Sequence, residues 1–274
     1  MPNNNENGKR PMSPEMLELL KAQGIDESTI TKAFKPVGLT LPVKSYTEEY
    51  LNRFVTRSSK MLELKDEIRK LSKINDCVLI QGETGTGKEL LAHALHGDRQ
   101  GKFIEINCAS MPENLLESEL FGHRKGAFTG AVETTPGLLK IAANGTMFLD
   151  EIGEMPIHLQ TKLLKVIQEK KSRKIGDTTE ESITCRFIAA TNRLLNAESP
   201  NFREDLYWRL STFELFTIPL RNRPEDIEPI CRILDPENKL PKEFYNKIIP
   251  EKLKGNVRSL EQLVRRYLIL GKFP

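Results

Sequence analysis

The chain is 274 residues long, 38% hydrophobic and 29% charged, a composition that can build a sizeable core and excludes a wholly disordered or collagen-like polymer. Its 41 Lys and Arg against 38 Asp and Glu leave a net charge of +3, too mild for wholesale nucleic-acid wrapping or membrane-surface attraction. No apolar run reaches the roughly 20 residues of a membrane span, no basic segment precedes an apolar one at the start, and the four cysteines form no CxxC, so the expectation is a cytoplasmic protein with buried free thiols.

Residues 1–12 are Asn-rich and polar. A helical rhythm starts at Ser13, with Met16, Leu17, Leu19 and Leu20 as its apolar stripe and Gly24 as its stop; a second short helix carries Ile30, Ala33 and Phe34. The pair has a faint helix-turn-helix spacing with Ser28, Thr29 and Lys32 as DNA-contact candidates, but a small regulatory or docking hairpin is the preferred reading. Pro36, Gly38 and Pro42 then form a linker. One long helix is expected over about residues 47–73, burying Leu62, Leu64, Ile68 and Leu71. Strands and helices alternate after it: strand 78–80, helix 88–96, strand 103–106, helix 112–120, strand 146–149, helix 156–169, and strands 187–190 and 213–216. That order predicts an α/β fold, a parallel sheet sandwiched by helices, and the purely helical stretch from Pro224 predicts a small C-terminal α-helical lid. His93 and His96, one turn apart, show no third metal ligand in the sequence and read as packing.

Gly82-Glu83-Thr84-Gly85-Thr86-Gly87-Lys88 fits G-x-x-x-x-G-K between a strand and a helix. There the backbone N–H groups wrap a polyphosphate, the helix N-terminus favours negative charge, and Lys88 reaches the β- and γ-phosphates. The position after the lysine, usually Ser or Thr, is Glu89. Asp150 and Glu151 end an apolar strand, where an open α/β sheet places its ligand. Asp150 suits Mg²⁺ held through water, and Glu151 suits orienting or deprotonating an attacking water. Asn192, ending the strand 187–190, is expected beside Glu151 if one strand lies between the phosphate-loop strand and its neighbour; its amide can sense the γ-phosphate.

With these parts in order, the sequence resembles, over roughly residues 50–270, the central AAA+ P-loop ATPase domain of bacterial enhancer-binding proteins, the activators of sigma-54 RNA polymerase. The most specific piece is Gly126-Ala127-Phe128-Thr129-Gly130-Ala131, an intact GAFTGA after Glu119-Leu120-Phe121-Gly122-His123. The family also has Glu after the phosphate-loop lysine. The resemblance implies ATP and Mg²⁺ as cofactors and a hexapeptide that engages sigma-54 near promoter DNA to open closed complexes. It assigns Asn107 to coupling the catalytic Glu to the loops, Asp150 and Glu151 to the Walker B pair, Asn192 to the first sensor, Arg203 and Arg209 to arginine fingers, and Arg258 of Gly255-Asn256-Val257-Arg258 to the second sensor. Fingers acting in trans imply a ring, usually a hexamer. The division expected is a helical N-terminal segment and linker over 1–46, an ATPase core over 47–220 and a shortened lid over 221–274, with no C-terminal DNA-binding helix-turn-helix and no receiver domain. Arg124 and Lys140 stand where the family commonly has glutamates, and Leu138 where it often has arginine. Lys140 and Lys174 are expected near each other, leaving no acid–base pair to latch the mobile loops. Two rivals follow: an AAA+ machine repurposed to remodel another protein or a nucleic acid, and a weakly hydrolysing nucleotide-dependent binding module.

Overall fold

A computed structural model of the chain describes residues 45–273; the helical pair expected over 13–34 and its linker lie outside them. Five parallel strands form the sheet, in the order β2-β5-β8-β1-β9: β1 (Val78–Gln81), β2 (Phe103–Asn107), β5 (Thr146–Asp150), β8 (Arg186–Thr191) and β9 (Phe213–Phe216). β8 lies between β5 and β1, which meets the condition set for Asn192, so the ends of the phosphate-loop and acid-bearing strands flank the strand that Asn192 follows.

Alternation along the strands sorts two cores. Val78, Ile80, Phe148, Ile188, Ala190 and Leu215 pack with α1 (Tyr46–Arg53), α2 (Ser59–Leu71) and α3 (Lys88–His96). Leu79, Ile106, Met147, Leu149, Phe187 and Ala189 pack on the other face with α4 (Glu113–Phe121), α5 (Leu138–Ile141), α6 (Ile157–Glu169) and α7 (Glu204–Leu210). A third apolar cluster joins α8 (Ile227–Leu234), α9 (Lys242–Asn246) and α10 (Asn256–Leu270) around Phe244, Leu260 and Val264. All four cysteines are buried and free, and burial pushes the Cys108, Cys185 and Cys231 thiols up to about 12.

The single helix expected over 47–73 is two helices, and Asp226 supplies the reason. Its carboxylate accepts the Thr56 hydroxyl and the backbone N–H groups of Arg57 and Ser58, so residues 55–58 leave the helical path and their donors find a side chain instead. Leu62, expected on the buried side, is 46% exposed; Met61, Leu64, Ile68 and Leu71 form that side.

Two short hairpins leave the sheet. β3 (Gly122–His123) pairs antiparallel with β4 (Thr135–Pro136), and β6 (Lys171–Arg173) with β7 (Glu180–Ser182).

At the far end of the sheet, Arg99 and Arg186 donate to the last carbonyls of α3. Buried His96 bonds Thr146 Oγ1 through Nδ1 (2.8 Å) beside them. Burial, then the charges of Arg99, His93 and Arg186, hold its pKa down from 6.5 to about 4. A neutral imidazole is thus favoured by the fold: its contribution is complete above about pH 6.5 and is lost as pH falls toward 4. Chemical denaturation from pH 7 to 4.5 should show a decline in stability that is shallower in His96→Gln; equal slopes would refute the assignment.

Candidate functional site

The phosphate loop runs from the end of β1 to the N-terminus of α3, as the sequence predicts. Gly85 has φ +75°, and a Cβ there would lie 2.2 Å from the Gly255 carbonyl oxygen and 3.2 Å from Arg258 Cβ. Only glycine lets the lid come this close. Val257 N donates to the Gly85 carbonyl (3.0 Å), so Arg258 stands over the loop where the second sensor was expected. Lys88 Nζ donates to the carbonyls of Gly82 (2.7 Å) and Glu83 (3.2 Å). Burial depresses its pKa, opposed by the Glu151 and Asp150 carboxylates. Thr86 bonds Glu83 O and Thr217 Oγ1, fixing the turn from within.

Asp150 and Glu151 end β5. Asn107 Nδ2 donates to Asp150 Oδ2 (3.0 Å), while Glu151 Oε2 accepts the Asn192 backbone N–H (3.0 Å). Asn107 thus bonds the first acid of the pair, and its side-chain Oδ1 accepts Ala109 N (2.9 Å). Glu151 is left-handed, φ +50° and ψ +46°, an uncommon conformation for a side-chain-bearing residue that turns the chain away from the strand axis. Asn192 also reaches Thr84 Oγ1 across the crevice (3.4 Å). The fit to Mg²⁺ is good: an acid held by an amide donor, next to a lysine and a phosphate loop, supplies the hard oxygen such an ion takes. The Glu89 carboxylate, although next to Lys88, gathers with His93 and Glu105.

The expected fingers lie on the segment leading into α7 and on the helix itself. Arg203 forks onto Asp205 (3.0 and 2.7 Å), whereas the exposed Arg209 side chain has no hydrogen-bond or ion-pair partner among the described residues. Buried Gln160 locks the approach to this helix, accepting Arg203 N (2.8 Å) and donating to Met155 O (2.8 Å) and Asn201 O (2.9 Å). From α7, Tyr207 donates to Glu214 Oε1 (2.9 Å), which also accepts Gln81 Nε2 (3.0 Å) from the phosphate-loop strand.

Gly126–Ala131 occupy the loop between β3 and β4. Gly126 N donates to Ala131 O (2.9 Å) to close it, and Phe128 and Thr129 are exposed. Phe128 keeps 46% exposure while its ring rests edge-on against His123 (5.0 Å), so the tip is half packed on its own domain.

The two loops are joined through Arg124 and Ile175, a pairing outside the Lys140–Lys174 expectation. Lys174 is paired with Glu181 across its own hairpin, and Arg124 pairs with Asp177 at 3.6 Å. Ile175 N donates to Gly122 O (2.9 Å) and Arg124 N to Ile175 O (3.0 Å). Gly176, φ +74°, leaves room for Ala127: a Cβ there would sit 2.9 Å from Ala127 Cβ.

Three residues were missed as site members. Buried Asn256 accepts Leu220 N (2.7 Å) and donates to Glu83 Oε2 (3.1 Å) and Thr84 O (3.0 Å). Arg223 and Asp226, 1% and 0% exposed, form an ion pair (2.9 Å), and Arg223 also donates to Thr86 O (3.2 Å). Asn256 was visible inside the Gly-Asn-Val-Arg motif; nothing local in sequence marks the other two.

The sigma-54 interaction domain family matches residues 54–216. Regulatory protein AtoC of Escherichia coli is 37% identical over 281 residues, covering 97% of this chain and 60% of that protein. The DNA-binding transcriptional activator HyfR of E. coli is 43% identical over 232 residues, covering 80% of this chain and 35% of that protein. The chain therefore spans only part of the length of these relatives. The crystal structure of NtrX from Brucella abortus in complex with ADP has a TM-score of 0.72 at 26% identity, covering 96% of this chain and 58% of that one. The RuvB branch migration motor of Thermotoga maritima, at 15% identity and a TM-score of 0.53, covers 81% of this chain and 66% of that one and shares the fold alone. The architecture is the AAA+ P-loop fold. No helix among the described residues is long and apolar enough to cross a membrane.

Removing one member of a buried ion pair strands the other charge, typically at 3–5 kcal/mol. Asp226→Ala should lose about that much in chemical denaturation, while Asp226→Asn, which keeps a side-chain acceptor for the donors of residues 56–58, should lose less. A loss below about 1 kcal/mol for Asp226→Ala would show that water reaches Arg223.

Proposed function

Because the chain belongs to the sigma-54 interaction domain family, we propose that it is an ATP-hydrolysing AAA+ activator that remodels sigma-54 RNA polymerase closed complexes so that promoters open. The observation that carries this reading is the exposed Phe128-Thr129 tip, set on a hairpin of the same unit whose strand ends carry the phosphate loop and the acid pair. An aromatic ring left half in water on a glycine-flanked turn is a contact surface waiting for a partner.

In this reading Gly82, Glu83, Thr84, Gly85, Thr86 and Gly87 present backbone donors to the phosphates of ATP, and Lys88 releases its two carbonyl partners to bond the β- and γ-oxygens. Arg258 reaches the same phosphates from the lid. Asp150 holds Mg²⁺ through water, kept in place by the Asn107 amide. When bound, Mg²⁺ supplies charge neutralisation to the phosphates as the terminal group is transferred. Glu151 takes the proton of the attacking water; the Asn192 N–H fixes the carboxylate, and the Asn192 amide, spanning toward Thr84, senses the terminal phosphate. Arg209, without a side-chain partner among the described residues, offers its guanidinium to a neighbouring subunit's terminal phosphate, and Arg203 joins it on leaving Asp205. The working particle is then a ring, hexameric by family habit, acting in the cytoplasm. Promoter DNA passes near the loop tip.

The Arg124–Asp177 pair is exposed on the arginine side and long at 3.6 Å, so water screens it. The two backbone hydrogen bonds to Ile175 and the Gly176–Ala127 contact carry most of the mechanical link between the loops.

Turnover per subunit should rise with protein concentration, because fingers act between chains, and Arg209→Ala should lower it by roughly 10³-fold. Glu151→Gln should still bind nucleotide while losing at least about 10²-fold in turnover. A rate per subunit independent of concentration would exclude catalysis in trans. Thr129→Ala should keep hydrolysis but lose capture of sigma-54 in the presence of a transition-state analogue; undiminished capture would exclude the loop as the contact.

A further inference from the structure

His93 sits midway along α3, and its ring is immobilised on three sides. Tyr50 stacks on one face, centroids 4.4 Å apart and planes 5° from parallel, and Phe103 on the other at 3.9 Å and 25°. The Tyr46 hydroxyl bonds Nδ1 (3.0 Å), which leaves Nε2 as the open nitrogen. One turn earlier on the same helix is Glu89, and across from both, on edge strand β2, is Glu105. One ligand atom of each of the three lies within 4.8 Å of the others. Neither carboxylate has a hydrogen-bond or ion-pair partner among the described residues, and the nearby guanidinium of Arg53 lies over the Tyr50 ring, 5.0 Å from its centroid.

We propose that Glu89, His93 and Glu105 form a binding site for a divalent transition-metal ion of the zinc class, separate from the Mg²⁺ position at Asp150. The chemistry of the donors selects the ion. An imidazole with two carboxylates suits Zn²⁺, Co²⁺ or Mn²⁺, whereas Mg²⁺ and Ca²⁺ take oxygen alone. Three protein ligands leave room for water in a fourth position. Ligand atoms around tetrahedral zinc stand roughly 3.4 Å apart, given metal–ligand distances near 2.1 Å. Side-chain rotation of the two flexible glutamates closes the remaining gap, while the imidazole, held by two rings and a hydroxyl, stays fixed. A hydroxyl on the second imidazole nitrogen is the outer-sphere partner that ligating histidines use to set tautomer and orientation.

The sequence conceals this site because the third ligand comes from another element. Glu89 and His93 are four residues apart on one helix, but Glu105 joins them only when β2 packs beside α3. An ion there ties the first turn of α3, adjacent to Lys88, to the edge of the sheet.

The test is Co²⁺ titration of the full chain without nucleotide, followed by its visible absorption, with Zn²⁺ added as competitor. One ion per chain is expected, displaced by Zn²⁺ and not by Mg²⁺. His93→Ala and Glu105→Gln should each weaken binding at least ten-fold, and Tyr46→Phe about ten-fold through the lost outer-sphere bond. Zn²⁺ should raise the Tm of the wild type but not of Glu105→Gln, whose exposed position leaves the metal-free fold intact. Absence of a Co²⁺ spectrum, or equal affinity in His93→Ala and Glu105→Gln with the ion instead lost on Asp150→Asn, would overturn the proposal.

Discussion

Two opposite charges, the Arg223 guanidinium and the Asp226 carboxylate, are withdrawn from water at the point where core and lid meet. Such a pair is tolerable only when its remaining hydrogen-bonding capacity is satisfied, and here the partners come from distant segments. Arg223 donates to Ile218 O at the exit of β9 and to Thr86 O in the phosphate loop, and rests over the Phe54 ring (5.5 Å). Asp226 gathers Thr56, Arg57 and Ser58 from the break between α1 and α2. The pair therefore makes one mechanical object of the phosphate loop, the lid and the N-terminal helices. Asn256 repeats the arrangement on the other side of the loop, bonding Leu220, Glu83 and Thr84 at once, while Arg221 forks onto Glu83. A change of phosphate-loop shape is felt by the lid because four of the loop's polar groups are answered from it.

On the opposite side of the crevice the ties run to α7 and the protruding loop. Gln81, at the last position of the phosphate-loop strand, is buried and shares Glu214 with Tyr207. Gln160 performs the same office for the chain entering α7. These are neutral or singly charged hydrogen bonds, each worth roughly 0.5–3 kcal/mol, yet they are buried and point one way, so they fix geometry more than they add stability. The loop contacts are of another kind. A half-exposed ion pair and two backbone bonds hold the hexapeptide hairpin to its neighbour, a weak link beside the buried ties of the lid.

The elements of the candidate site were legible in the chain because their parts are contiguous. Seven residues from Gly82 to Lys88 make a phosphate cradle wherever a strand precedes and a helix follows, and Asp150-Glu151 needs only an apolar strand ahead of it. Strand-then-helix alternation also carried the parallel sheet, whereas its strand order, with β8 between β5 and β1, came from the packing. The long helix over 47–73 failed for a nonlocal reason: its apolar rhythm is sound on either side of residues 55–58, but the carboxylate that captures their N–H groups lies about 170 residues downstream. Charge reversals at Arg124 and Lys140 could not be turned into a pairing pattern from sequence, since Asp177 becomes a partner only through the turn of a separate hairpin.

The sequence by itself determined the elements and their chemistry: the phosphate loop, the acid pair, the arginine-bearing helix and the glycine-flanked aromatic tip, each a product of residues within one turn or strand of one another. Tertiary structure alone decided who answers whom. It gave Asn107 to Asp150 and the Asn192 backbone to Glu151, paired Arg203 with Asp205, and set Glu105 beside Glu89 and His93. The physical reason is reach. Backbone propensity and hydrophobic period act over a few residues, whereas a buried polar group must take whichever partner the packed strands bring within about 3 Å.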